Sequence, residues 1–229
     1  MPPPNWLTII ANISLILAFA SAFVILFDIF VRGYRQKMFI MEWVWPITAL
    51  YFGPLGLWAY WDMGRPSSKK HLKREGRDKP QQPFWKTVFV GATHCGAGCT
   101  LGDIIAEWGV FLTGFTLYSS NLLTEYIFDF TLAYLLGIIF QYFAIVPMRN
   151  LSFWEGLKAS IQADTFSLIA FEIGLFGWMA LMRFVFFNPP LEPNDPVYWF
   201  MMQIGMVIGF ATSYPMNWFL IRKGIKEAM

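Results

Sequence analysis

The sequence has few charged residues and few cysteines. Only 14% of its 229 residues are charged, whereas 56% are hydrophobic and 19% are aromatic. An ordinary soluble domain carries about 25% charged residues, so this chain has too little polar surface to cover a globule in water. Its two cysteines, Cys95 and Cys99, lie in one apolar segment. This placement excludes the disulfide framework of a small secreted module.

Long apolar segments dominate the chain. An α-helix needs about 20 apolar residues to cross the ~30 Å hydrocarbon layer of a bilayer. We therefore predict an all-α, polytopic transmembrane bundle that forms one domain over residues 1–229. The six predicted helices cover residues 6–31, 39–61, 87–117, 126–148, 164–187 and 198–221. The first is too long for a signal-peptide core and follows no basic stretch, so we predict that it is retained.

Basic residues are concentrated in one polar stretch, residues 62–86, which we predict to be a solvated cytoplasmic loop. Cytoplasmic segments collect lysine and arginine. With six helices and a cytoplasmic amino terminus, 13 of these residues lie inside: eight in Arg65–Lys86, two in Arg149–Lys158 and three in the tail. The basic residues left on the other side are Arg32, Arg35, Lys37 and Arg183. The pattern predicts both termini in the cytoplasm. The net charge is only +2, and we expect no nucleic-acid partner.

Acidic residues lie within several predicted helices. A charged group at membrane depth costs about 2.5–3.5 kcal/mol, so each needs a partner, a water-filled cavity or a function. Those near predicted helix ends, where a side chain can simply reach the interface, are Asp28, Glu42, Asp129 and Asp164. Asp103 and Glu172 lie nearer the middle of their segments, and a functional role is favoured for both. The predicted polar path or proton relay consists of Asp103, Glu107, Asp129, Asp164 and Glu172.

The third predicted helix carries the densest group of reactive side chains. Its core reads Gly91-Ala-Thr-His-Cys-Gly-Ala-Gly-Cys-Thr-Leu-Gly-Asp103. In a helix, four-residue steps form one slowly winding stripe, here Cys95, Cys99, Asp103 and Glu107. His94 projects about 140° from Cys99 in an ideal helix. His94 can bind one ion together with both thiols only if the helix is broken in this glycine-rich stretch. Glycine permits such a break because it adopts conformations that other residues avoid.

Three interpretations of this segment stay open. The first is a soft-metal site of His94, Cys95 and Cys99, because thiolates select Cu(I) and imidazole also binds copper. Met202 and Met206 would add sulfur from the last helix. The second is a thiol redox pair, although Cβ atoms at this spacing lie about 5–6 Å apart and a disulfide needs about 3.8 Å. In the third, the cysteines are small buried apolar residues.

Three stretches resemble one prokaryotic membrane family, domain of unknown function 4396. They are the His94-Cys-x-x-x-Cys-x-x-x-Asp103 core, the segment Ala163–Glu172, and the ending from Met202-Gln-Ile-Gly to Tyr214-Pro-Met-Asn-Trp. The resemblance runs from the second half of predicted helix two to the end of the chain. Relatives are often labelled copper oxidases or occur joined to multicopper-oxidase-like modules. The resemblance therefore implies copper, a multicopper-oxidase-like partner and a prokaryotic cell membrane.

The residues and the resemblance lead to three functional hypotheses. The first is a protein that binds or transports a transition metal, with Cu(I) favoured by the ligand types and the acidic residues forming a path beside it. The second is a membrane oxidoreductase that exchanges electrons with a quinone or a partner protein. The third is a non-catalytic subunit, in a homo-oligomer or with another membrane protein, whose acidic residues pair with a partner's cations. The sequence does not decide whether the protein is an enzyme.

Overall fold

The computed structural model describes residues 3–78, 82–115 and 121–227. Within these ranges the chain is helical, and the predicted all-α class is confirmed. The helices are α1 (Asn5–Phe30), α2 (Met41–Phe52), α3 (Pro54–Ala59), α4 (Lys69–Glu75), α5 (Phe84–Thr113), α6 (Asn121–Arg149), α7 (Phe153–Leu181) and α8 (Pro196–Arg222). Five of these, α1, α5, α6, α7 and α8, are long and apolar enough to cross a membrane.

The segment predicted as the second spanning helix is instead a helical hairpin, so the prediction of one helix over residues 39–61 is wrong. Helix α2 ends at Phe52, Gly53 adopts a φ of 56°, and Pro54 begins α3. Glycine reaches positive φ without steric cost, and proline at the first helical position starts a new helix. The two arms lie side by side, because the ring centroids of Trp45 and Tyr60 are 5.9 Å apart.

The hairpin enters and leaves the bundle at the same end. Gln36, which precedes α2, forms an isolated antiparallel bridge with Ser68, which follows the hairpin. The Lys69 backbone N–H donates to the Arg35 carbonyl at 2.9 Å. Because these flanking residues lie together, the hairpin does not cross the bundle. With five long helices, residues 3 and 227 therefore lie at opposite ends.

The predicted solvated stretch over residues 62–86 contains regular structure. A π-helical turn (Tyr60–Gly64), a 3-10 turn (Arg65–Ser67) and α4 follow one another. The Ser68 hydroxyl caps α4 by accepting the His71 backbone N–H at 3.3 Å, as expected for serine at a helix start. Residues 79–81 of this stretch, and residues 116 and 117 of the third predicted helix, lie outside the described ranges.

Helix α7 begins at Phe153 and not at the predicted Asp164. Ser152 and Glu155 form a capping box, in which each side chain bonds the other residue's backbone N–H. The helix then runs to Leu181 and continues as a π-helical turn, Met182–Phe186. Asp164 therefore lies about three turns inside the helix. Its interpretation as a helix-end residue that reaches the interface is wrong.

Small residues bring the long helices into close contact. A Cβ on Gly98 would lie 2.8 Å from Gly137 Cα, and one on Gly102 would lie 2.6 Å from Ala133 Cα, both on α6. On the other side of the bundle, a Cβ on Gly174 of α7 would lie 2.9 Å from the Cα of Gly209 in α8. Larger side chains would force these backbones apart.

Candidate functional site

Helix α5 is the central helix of the bundle. In its most apolar stretch 78% of residues are buried, compared with 28–44% in the other four spanning helices. Its backbone stays helical from Phe84 to Thr113, so the break that would let His94 join both thiols is absent from this segment. The predicted stripe is confirmed as one buried row: Cys95, Cys99, Asp103 and Glu107.

Four sulfur-containing side chains belong to one buried core cluster at the middle of the bundle, which we call the sulfur cluster. Cys95 and Cys99 are free thiols, and both pack in the same cluster as Met202 and Met206 of α8. The Cys99 thiol lies close to that of Cys95. The Thr100 hydroxyl lies 3.6 Å from the Met206 sulfur. The structure thus brings together the cysteines and methionines that the sequence singles out.

Two carboxyl groups lie beside this sulfur cluster without hydrogen-bond partners. Among the described residues, neither oxygen of Asp103 and neither oxygen of Glu172 has a partner. The two residues are 0% and 2% exposed. They are close enough to interact electrostatically, and Glu172 faces Cys99 without the geometry of a hydrogen bond. An ionised carboxylate in this setting costs several kcal/mol, so each is expected to hold a proton or a cation.

A second acidic group continues the row toward the end of the bundle where α8 begins. Glu107 lies close to Tyr198 and Asp129. Glu107 and Asp129 are both buried. The interpretation that Asp129, near a predicted helix end, reaches the interface is therefore wrong. A cavity of about 30 Å³, room for about two water molecules, lies against these side chains and the Arg183–Glu125 ion pair, whose atoms are 2.8 Å apart.

A third polar group lies at the opposite end. His94 is fully buried, and neither ring nitrogen has a hydrogen-bond partner in the described part of the chain. Its ring centroid is 6.2 Å from that of Phe140 on α6, and it interacts electrostatically with Asp164 and Lys226. The structure therefore turns His94 away from the sulfur cluster, which agrees with the geometry of an unbroken helix.

The predicted metal centre of His94, Cys95 and Cys99 is not assembled as one group. In residues 3–78, 82–115 and 121–227, no three histidine, cysteine, aspartate or glutamate side chains are placed to hold one ion. Methionine is not among these four residue types, and its thioether also binds soft metals. Copper stays a prediction.

Acidic residues at the end of α1 and the start of α2 have partners within the chain. Asp28 accepts the Tyr60 hydroxyl at 2.9 Å and pairs with Arg65 at 3.1 Å. Glu42 pairs with Arg35 at 2.8 Å. Both carboxyl groups are buried, so the interpretation that they reach the interface is wrong. They hold the hairpin to α1 and to the turn before it.

Sequence reasoning missed three residues near the site. Tyr51, at the tip of the hairpin, is buried, and its hydroxyl lies 2.8 Å from the position a Cβ on Gly96 would take. Tyr198 lies close to Glu107, and Lys226 reaches Asp164 from the tail. Tyr51 lies in a segment that the sequence predicts to cross the membrane, and Lys226 belongs to the predicted cytoplasmic tail. The only sequence signal for the burial of Lys226 is Gly224, because glycine allows the tail to turn back toward the bundle.

The fold and its interior define a class: a membrane-like helical bundle, with five helices long and apolar enough to span a bilayer and a row of buried thiols and carboxyl groups. The chain belongs to the family described as Domain of unknown function (DUF4396), which matches it over residues 84–226. The resemblance is confirmed, but the match begins at α5 and leaves out the hairpin. The matched range, residues 84–226, includes every predicted site residue. No curated protein and no solved structure matches the chain.

Proposed function

We propose that this protein binds Cu(I) as cargo inside the bundle and moves it across a prokaryotic cell membrane together with protons. The observation that supports the proposal is that the side chains of Cys95, Cys99, Met202 and Met206 belong to one buried core cluster, with the unpartnered carboxyl groups of Asp103 and Glu172 beside the cysteines. Thiolates and thioethers select Cu(I). A thiol loses its proton when it becomes a ligand. A protonated carboxyl group beside it can relay that proton by giving its own to the next carboxyl group in the row and taking the thiol's in its place.

The proposed route continues from the sulfur cluster along α5. Asp103 is followed one turn later by Glu107, which lies close to Tyr198 and Asp129 next to the cavity. Protons released at the thiols would pass between these carboxyl groups and leave through water in the cavity. In the other direction, Leu168 and Phe171 are fully buried on α7 between Glu172 and Asp164. Asp164 therefore belongs to a separate polar group and not to a continuous path.

The proposed topology has five spanning helices, a re-entrant hairpin, an external amino terminus and a cytoplasmic carboxyl terminus. The chain crosses the membrane once as α1, and the hairpin then enters and leaves the membrane on the cytoplasmic side. The chain crosses four more times as α5, α6, α7 and α8. Counted by position in the sequence, 16 of the 17 lysines and arginines then lie at one end of the bundle, and Arg183 is the exception. The six-helix arrangement places 13 on one side. Because basic residues favour the cytoplasmic side, the five-helix arrangement is preferred.

The rival hypotheses are less well supported by the geometry. A thiol oxidoreductase needs a disulfide between Cys95 and Cys99, but both are free and lie on an unbroken helix. The hypothesis of a non-catalytic subunit expects buried acidic residues to pair with a partner's cations. Asp164 needs no such partner, because Lys226 of the same chain lies 3.2 Å away.

The test is Cu(I) binding by the purified protein, measured by competition with a chromogenic Cu(I) chelator under reducing conditions. Cys95→Ser with Cys99→Ser should abolish binding, and Met202→Leu with Met206→Leu should weaken it. His71→Ala, in the exposed α4, is the matched control. His94→Ala should change little, because this side chain faces away from the sulfur atoms. Equal Cu(I) affinity in all variants would refute the proposal.

A further inference from the structure

The short tail after α8 folds back into the bundle. Gly224 adopts a φ of 70°, a conformation that favours glycine. The backbone N–H groups of Ile225 and Lys226 then both donate to the Leu220 carbonyl, at 3.0 and 3.2 Å. Glu227 pairs with Arg149 at the end of α6. These contacts carry the Lys226 side chain into the interior, where it is 0% exposed.

The ammonium group of Lys226 occupies a small oxygen-lined site. It lies 3.2 Å from Asp164 Oδ1 and 3.3 Å from Ser167 Oγ. Both distances exceed the ~2.7–2.9 Å of a close charge-assisted hydrogen bond. The second oxygen, Asp164 Oδ2, is buried and has no partner among the described residues. It faces Gly137, where an added Cβ would lie 2.7 Å away, so only glycine leaves room for it.

The charge and donor atoms of this site match a small hard cation. It offers two carboxylate oxygens and one hydroxyl oxygen, ligands that hard cations prefer and soft Cu(I) does not. One carboxylate balances one positive charge. Two cations beside it would leave a buried charge uncompensated, which is strongly unfavourable. An entering ion must therefore displace the lysine.

We propose that Asp164 and Ser167 form a binding site for an alkali-metal cation, which Lys226 fills in this conformation as a tethered and displaceable substitute. Ion entry would release the tail beyond Gly224 from the bundle, and ion departure would let Lys226 return. The assignment of this ion as a coupling ion rests on the proposed transport function. The binding site itself does not, and both measurements below contain no copper.

The first measurement is the reactivity of the Lys226 amine in purified protein. An amine-acylating reagent is applied in NaCl, in KCl or in N-methylglucamine chloride at equal ionic strength, and acylation of each lysine is quantified by mass spectrometry. Lys226 should react severalfold faster in the alkali salt, with a saturable dependence on its concentration. Lys223, exposed on the same tail, is the internal control and should not respond. Equal Lys226 reactivity in all three salts would overturn the proposal.

The second measurement uses Lys226→Met, which keeps most of the side-chain volume but leaves Asp164 without its cation. Its thermal unfolding should shift upward in NaCl or KCl relative to N-methylglucamine chloride, because a ligand that binds the folded state stabilises it. The shift should exceed that of the wild type and should disappear when Asp164→Asn is added. An ion-independent melting temperature in Lys226→Met would also overturn the proposal, whatever the outcome of the Cu(I) assay.

Discussion

Trp45 meets Tyr60 edge-on, with ring centroids 5.9 Å apart and ring planes at 67°, and this contact closes the base of the hairpin formed by α2 and α3. A Cβ on Gly64 would lie 2.5 Å from Trp45 Cε2, so the indole ring fits there only beside glycine. At the other end of the hairpin, Tyr51 packs in the cluster that holds both cysteines. The hairpin thus links one end of the bundle to its centre.

The reversal at Gly53 lies at membrane depth in the proposed topology. Irregular backbone is tolerated there only where protein or water surrounds it. The Leu50 carbonyl near this tip accepts a hydrogen bond from the Gln203 amide at 2.6 Å, and Phe52 packs edge-on against Phe210 at 5.0 Å. Helix α8 therefore supplies both the polar partner and the apolar cover that a re-entrant segment needs.

The topology predicts which positions react with a membrane-impermeant thiol reagent in intact cells. In a background carrying Cys95→Ser and Cys99→Ser, Asn5→Cys should be labelled, and Lys37→Cys should be labelled only after permeabilisation. Asn194→Cys and Lys73→Cys serve as external and internal controls, since both the five-helix and the six-helix arrangements place them identically. Protection of Asn5→Cys with labelling of Lys37→Cys would restore the six-helix arrangement.

Two glycines of α5 form a matched pair for testing the close contact between α5 and α6. Gly102→Ala places a methyl group 2.6 Å from Ala133 Cα, whereas Gly109→Ala meets nothing within 4 Å. The first substitution should lower the free energy of unfolding by about 1–3 kcal/mol through overpacking. The second should leave it unchanged or raise it by up to ~1 kcal/mol, because alanine favours helix. Denaturant unfolding in detergent measures both, and equal effects would show that the two helices do not pack closely.

The sequence determines the helical class and the α5 stripe because both follow from periodicity. Apolar length identifies spanning helices, and four-residue steps place Cys95, Cys99 and Asp103 on one face whatever the surroundings. The hairpin is different. Residues 39–61 have the length and hydropathy of a span, and the reversal depends on one dihedral angle at Gly53 and on tertiary contacts such as Trp45 with Tyr60.

Other errors came from contacts between residues distant in sequence. The start of α7 carries polar residues that resemble a loop, but the Ser152–Glu155 capping box begins the helix there. Lys226 belongs to a basic tail that usually remains in solvent, and only the turn at Gly224 and the pairing with Asp164 bury it. Neither contact has a periodic signal. Local patterns therefore predicted the central helix well and the elements around it poorly.

The Asp28–Tyr60 hydrogen bond should stabilise the hairpin against α1. Tyr60→Phe removes one hydrogen bond of 2.9 Å and should lower the free energy of unfolding by about 1 kcal/mol. Asp28→Ala also removes the acceptor that faces Arg65 and should cost about 3 kcal/mol, at the low end for a broken buried pair because Arg65 is partly exposed. Thermal unfolding of both variants compares them, with Tyr34→Phe as a control. A smaller loss in Asp28→Ala than in Tyr60→Phe would contradict this account.

Glu172 is the residue whose chemistry and packing can be separated most cleanly. Both of its carboxyl oxygens lack hydrogen-bond partners in the described part of the chain, so replacing the group strands no donor. Replacing a buried, unpartnered polar group by an apolar one of similar shape is close to neutral or stabilising. Glu172→Gln and Glu172→Met should therefore fold with unfolding free energies within about 1 kcal/mol of the wild type.

Function should respond differently in the same two variants. If Glu172 relays the proton released at Cys99 when Cu(I) binds, by giving up its own proton and taking that of the thiol, both substitutions should block this proton transfer while the four sulfur-containing side chains stay in place. Protein reconstituted into vesicles with a trapped pH indicator reports Cu(I)-dependent proton movement, and chelator competition reports Cu(I) affinity. The expected result is wild-type folding, measurable Cu(I) binding and little coupled proton movement. Full proton coupling in Glu172→Gln would exclude a relay through this residue, because an amide cannot take up and release a proton near neutral pH.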